Sequence, residues 1–191
     1  MAKTGDIIEN PITGERITFL KTAADTGGKK LVIQLELSPS AHNAATHLHD
    51  KQLERIRIDH GELRIVAGDA EPRTYRPGDE CVLEPGVQHV WWNESGEVAQ
   101  VTIEYEPALK TEQFFESFFA LARAGRTDAK GVPRFLQLVL MSREYDIYDG
   151  GVPLWLQKAL FPVLGPLSRA LGNRAHFVEP ERTPALQRAS T

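Results

Sequence analysis

Up to Pro107 the chain is cut into short runs of alternating apolar and polar residues by closely spaced turn signals. These are Asn10-Pro11, Gly27-Gly28, His60-Gly61, Pro77-Gly78, Pro85-Gly86 and Ser95-Gly96. Runs this short leave little room for helices and read as strands of an all-β sandwich or barrel. The alternation predicts strands over residues 16–21, 30–37, 52–60, 62–67, 73–75, 80–84, 88–93 and 98–106. The turns at His60-Gly61 and Ser95-Gly96 predict two short hairpins.

Past Pro107 the apolar period becomes helical. Phe114, Phe115, Phe118, Phe119 and Ala122 share one face at i, i+3 and i+4 spacing. Thr111 is placed to cap that helix and Gly125 to end it. A second helix is expected from Pro133 to about Tyr145, carrying Phe135, Leu138, Val139 and Met141. Between Val152 and Leu171 only Lys158 and Arg169 are charged, and Pro162 and Pro166 interrupt the run, which predicts a broken or kinked helix pair. The expected organisation is therefore a barrel over residues 1–107, a helical extension over 108–180 and a polar tail over 181–191. The extension has three readings: packing on the barrel (where it could also overhang the mouth), a subunit interface, or interfacial membrane contact. Membrane contact is the weakest, because the segment lacks a cluster of lysine and arginine.

Composition narrows the function classes. Of 191 residues 41% are apolar, enough for an ordinary core, and the net charge of −4 gives no reason to expect nucleic acid. Cys81 is the sole cysteine, so no internal disulfide forms. Residues 1–9 hold no apolar signal region, and no run of roughly 18 apolar residues exists to span a bilayer. The expectation is a soluble cytoplasmic protein.

The chemistry-bearing stretch is His47-Leu48-His49-Asp50-Lys51-Gln52-Leu53-Glu54. Two histidines at i and i+2 on an extended chain point to one face, and a carboxylate on the next strand can converge with them. Glu54 shares strand parity with Ile56 and Ile58, so it points to the apolar side, where an uncompensated carboxylate is costly. His89 shares parity with Val87, Trp91 and Asn93. Three imidazoles and one carboxylate suit a divalent transition metal and leave positions open for substrate. Trp91, Ile56 and Asn93 are the expected pocket neighbours. His42, His60 and His176 lack partners at ligand spacing, although His42 lies near the first motif. No general base is evident beside the four ligands, so the catalytic residues are unknown at this level.

These residues resemble the cupins. The first cupin motif has HxH, a glutamate and a later glycine, matched here by His47, His49, Glu54 and Gly61. The second is matched by Gly78, Gly86, His89 and Asn93 in register. Glu84 stands where a proline belongs, and no glycine precedes the HxH between Ala41 and Thr46. The resemblance implies a mainly β fold, a double-stranded β-helix (the RmlC-like jelly roll) followed by the α-helical extension. It also implies His47, His49, Glu54 and His89 as ligands of one divalent metal, with Fe(II) favoured and Mn, Ni or Zn as alternatives.

The expected function is a metal-dependent cupin acting on a small apolar or aromatic molecule, with a dioxygenase-like oxygenase as the leading reading. A metal-dependent isomerase, cyclase or lyase is the alternative, as is a non-catalytic module that binds a small ligand or a protein. The fold alone does not choose, since it hosts many activities. The apolar extension is also compatible with a homodimer.

Overall fold

The computed structural model describes residues 1–43 and 45–178. Ten strands precede the first helix: β1 (Ile7–Asn10), β2 (Glu15–Lys21), β3 (Leu31–Leu37), β4 (His47–His49), β5 (Leu53–His60), β6 (Leu63–Ala67), β7 (Arg73–Tyr75), β8 (Glu80–Leu83), β9 (His89–Trp92) and β10 (Ala99–Glu106). Then come α1 (Thr111–Arg123), α2 (Phe135–Tyr145), β11 (Ile147–Asp149) and α3 (Leu154–Ala170). The strands form a six-stranded sheet in the order β1-β2-β3-β10-β5-β8 and a five-stranded sheet in the order β11-β4-β9-β6-β7.

Period-two alternation supplies the core between the sheets. Ile17 and Phe19 of β2, Ile33 and Leu35 of β3, Ile56 and Ile58 of β5, Val101 and Ile103 of β10, Leu63 and Ile65 of β6 and Trp91 of β9 belong to one buried cluster. All sheet pairings are antiparallel, and neighbours distant in sequence, such as β3-β10-β5, dominate the larger sheet. This is the layout of a double-stranded β-helix.

Both turns expected to close hairpins do something else. β5 pairs with β10 and β8, whereas β6 pairs with β7 and β9. At His60-Gly61 the chain therefore leaves one sheet for the other, and at Ser95-Gly96 it crosses back from β9 to β10. A local turn signal specifies reversal of direction but not which strand the returning chain meets. Gly61 is required at its crossing. It adopts φ +73°, and a Cβ there would lie 2.7 Å from the Val98 carbonyl oxygen.

The helical extension is stitched to the barrel. Gln52 Nε2 donates to the Pro107 carbonyl at 2.7 Å and to Thr111 Oγ1 at 2.8 Å, joining the start of β5 to the start of α1. Thr111 is thus the first residue of α1 and bonds Gln52, and it does not cap the helix. Gly125, at φ +66°, follows the end of α1 as expected. α3 runs unbroken through Pro162 and Pro166. Each proline removes one backbone bond, to the carbonyl four residues earlier; Lys158, Pro162 and Pro166 are all exposed, so water can satisfy the freed carbonyls. Trp155, Val163, Leu167 and Leu171 lie on the exposed side of α3. No helix among the described residues is long and apolar enough to cross a membrane. The expected polar tail, 181–191, lies outside the described residues.

β11 ties the extension to the strand that carries the two motif histidines. Ile147, Tyr148 and Asp149 pair with His49, Leu48 and His47. The β4 edge, otherwise open, is thereby closed. Asp146, in the left-handed region at φ 59°, accepts the Lys51 N–H at 2.8 Å. The Gln157 side chain of α3 bonds the backbone of Asp149 and Val152. Outward-facing Leu48 packs with Val139, Tyr148 and Phe161, which leaves His47 and His49 to face the barrel.

Candidate metal centre

The barrel brings His47, His49, Glu54 and His89 together. One potential ligand atom from each lies within 4.8 Å of the others, so the group could hold a metal ion. Three strands supply it: β4 the two histidines, β5 the glutamate and β9 the last histidine. His47 and His89 are direct cross-strand partners, with ring centroids 4.3 Å apart. Glu54 sits opposite Tyr105 of β10, whose hydroxyl donates to Glu54 Oε1 at 3.3 Å.

The polar atoms at the centre lack partners. His49 Nε2 and His89 Nε2 lie 3.3 and 3.1 Å from Glu54 Oε2, but without hydrogen-bond alignment. All three atoms are buried without a hydrogen-bond partner. Such atoms are expensive to bury unless something binds them. A cation would satisfy all of them at once, and the residues present fit one. Backbone carbonyls fix two of the rings: His47 Nδ1 lies 3.2 Å from the Ala45 oxygen and His89 Nδ1 lies 3.0 Å from the Val87 oxygen. A proton on each Nδ1 leaves Nε2 as the lone-pair donor.

The electrostatics of the group suit a cation. Burial lowers the His47 ring far below its ordinary range, and the neighbouring His89 and His49 add to this. Burial opposes ionisation of Glu54, yet the nearby His89 and His49 rings outweigh it and hold the carboxyl below the usual range. His89 is raised, because Glu54 overcomes the effect of burial on the ring.

A cavity of about 290 Å³ opens beside these ligands. His47, His49, Glu54, Trp91 and Tyr105 line its barrel part. The helices roof it with Phe114, Phe115 and Phe118 of α1, Leu138 and Met141 of α2 and Leu156 of α3. Phe135, Val152 and Leu160 also line it and are 61%, 40% and 47% exposed, marking its open side. The extension thus covers the barrel mouth on the ligand side.

Of the expected pocket neighbours, Trp91 lines the cavity, but Ile56 and Asn93 do not. Ile56 is fully buried in the barrel core, between Ile103 and Cys81 on the adjoining strands. Asn93 spends its amide on the β9–β10 crossing. Its Nδ2 donates to the carbonyls of Leu37, Ser38 and Glu97, and its Oδ1 accepts from Ser95. Strand parity assigns the face of a residue but not its depth along the barrel, which explains both. Glu84 is exposed in the turn before His89.

Two polar cavity residues, Tyr105 and Glu15, are not singled out by any sequence motif. Glu15, on β2, is 7% exposed and lines the same cavity. The signal was present: Glu15 shares parity with Ile17 and Phe19, the pattern that singled out Glu54.

The opposed sheets and the order of their strands make this a double-stranded β-helix barrel, with the four candidate ligands converged inside it. No family model and no curated protein matches the chain. Among solved structures, a cupin-superfamily sugar phosphate isomerase from Silicibacter pomeroyi is similar at 22% identity and TM-score 0.46, over 51% of this chain and 62% of that one. The polyketide cyclase RemF from Streptomyces resistomycificus is similar at 16% identity and TM-score 0.47, over 56% and 78%. A predicted oxalate decarboxylase from Thermotoga maritima is similar at 16% identity and TM-score 0.48, over 56% and 98%.

Proposed function

We propose that this protein is a metal-dependent enzyme acting on a small apolar or aromatic molecule. The observation that carries the reading is the convergence of three histidines and one glutamate, of which His47, His49 and Glu54 line a cavity that is otherwise mostly aromatic and aliphatic. Three neutral donors and one carboxylate suit Fe(II), Mn, Ni or Zn. A bound ion of this kind supplies Lewis-acid polarisation of a substrate oxygen, or redox chemistry if it is iron. The protein supplies the rest. The His47 and His89 rings are held by backbone carbonyls, Tyr105 steadies the glutamate, and the phenylalanines of α1 exclude water and bind the apolar body of the substrate.

Two chemistries fit this site. The presence of Glu15, a carboxyl outside the ligand set, favours a metal-dependent isomerase, cyclase or lyase. The ligand set itself favours the second reading, an oxygenase at Fe(II). Protein loaded separately with zinc, manganese, nickel and iron is to be offered a panel of aromatic and long-chain carbonyl compounds in D2O under nitrogen, and then under air. Deuterium incorporation or rearrangement without oxygen is the expected result. Oxygen consumption confined to the iron form would move the assignment to an oxygenase. Binding without turnover in any form would leave a cupin-shaped binding module.

A further inference from the structure

Glu15 is hard to explain as structure alone. Its neighbours on the inward face of β2, Ile17 and Phe19, are fully buried apolar residues. Its cross-strand partners are Leu37 of β3, fully buried, and Asn10 of β1, a buried amide that makes no hydrogen bond to it among the described residues. An apolar side chain at this position would avoid the cost of burying a carboxyl. The carboxyl has one hydrogen-bond partner among the described residues, the Thr13 hydroxyl, which donates to Oε2. Among the described residues Oε1 has no hydrogen-bond donor, and the residue lines the cavity that His47 and His49 also line.

We propose that Glu15 is the proton-transfer residue of this site, moving a proton to and from the carbon skeleton of an apolar carbonyl substrate. This rests on the enzymatic reading above. As a carboxylate, Glu15 takes a proton from the carbon next to the carbonyl. The O–H bond forms on Glu15, the C–H pair becomes a carbon–carbon double bond, and the carbonyl π pair moves to oxygen. In a substrate with a β,γ carbon–carbon double bond, the oxygen pair then re-forms the carbonyl, the new double bond shifts to the α,β position, and the old double-bond pair takes the proton from Glu15 at the γ carbon, which completes an isomerisation with no oxidant or reductant consumed. The surroundings suit this task. Burial raises the carboxyl to about 7, and the Thr13 hydrogen bond only partly offsets it. Among the described residues no basic group counters the charge. Tyr105, on β10, is the titratable group that senses it, alongside Glu54. A carboxyl poised near neutrality serves as base and acid alike.

The test uses 5-nitrobenzisoxazole, an aromatic C–H acid that needs a base but no metal. A carboxylate removes its C3 proton, the C–H pair forms a nitrile, the ring N–O bond breaks, and a coloured phenolate leaves. Full-length wild type is compared with Glu15→Gln and Glu15→Asp, with zinc content and circular dichroism measured on each. The expected result is saturable turnover in wild type, rising with pH through about 7. Glu15→Gln should lose at least about tenfold of that turnover, while Glu15→Asp retains part of it and both variants keep zinc and fold. Equal rates in wild type and Glu15→Gln would overturn the proposal. So would a wild-type rate that shows no ionisation near neutrality, a result that needs no variant at all. Because the probe ignores the metal, a failure here is distinct from a failure of the metal centre, which zinc content reports separately.

Discussion

Glu54 and Glu15 both occupy inward positions on strands whose other inward residues are apolar, yet their surroundings treat them differently. Glu54 lies among histidine rings and a tyrosine hydroxyl, and it stays ionised although buried. Glu15 has one hydroxyl, and burial dominates. The difference has a thermodynamic consequence. Glu15 moves from an ordinary value of 4.5 to about 7 on folding. Between those two values the folded state holds a proton that the unfolded chain has released, so stability falls as pH rises through the window and levels off above it. The loss attributable to this group is about 3 kcal/mol. Urea denaturation at pH 4 and pH 8 should therefore show a larger decline for wild type than for Glu15→Gln, whose amide does not titrate. Parallel declines would show that Glu15 titrates as an exposed carboxyl does.

At the scale of elements, what the sequence makes legible and what it conceals divide along one physical line. Strand existence and facing were readable from alternation, and eight expected strands lie close to those observed. The three strands not anticipated, β1, β4 and β11, are three or four residues long, and β11 lies among helical segments where no run of alternation marks it. Pairing was not readable either, because the partner of a strand is chosen by the whole barrel. His60-Gly61 and Ser95-Gly96 carry good local turn chemistry and still join different sheets. The crossing at Gly61 gives a direct check. Replacing it with alanine forces a side chain into a left-handed residue and against the Val98 carbonyl and Ala99 backbone. A loss of more than about 1 kcal/mol is expected from thermal melts. A neutral result would mean that the crossing does not approach β10 so closely.

Across the whole molecule, the four candidate ligands come from three strands of two sheets, and the extension adds to the site by pairing β11 with β4 and roofing the cavity. The four ligand candidates were legible because motif spacing and parity both survive in a linear sequence. The roof was not, since nothing in an amphipathic helix states which surface receives it. Glu15 escapes for another reason: the expected strand starts at residue 16, one short of it, and no motif directs attention there. The account therefore stands or falls on whether these separated residues act as one centre. Metal content by mass spectrometry, on protein purified without oxygen and without an affinity-metal column, tests this most directly, with wild type beside His89→Ala. One transition-metal ion per chain in wild type, lost in the variant while the fold is kept, is the predicted result. Wild-type protein that carries no metal and takes none up on reconstitution would contradict it.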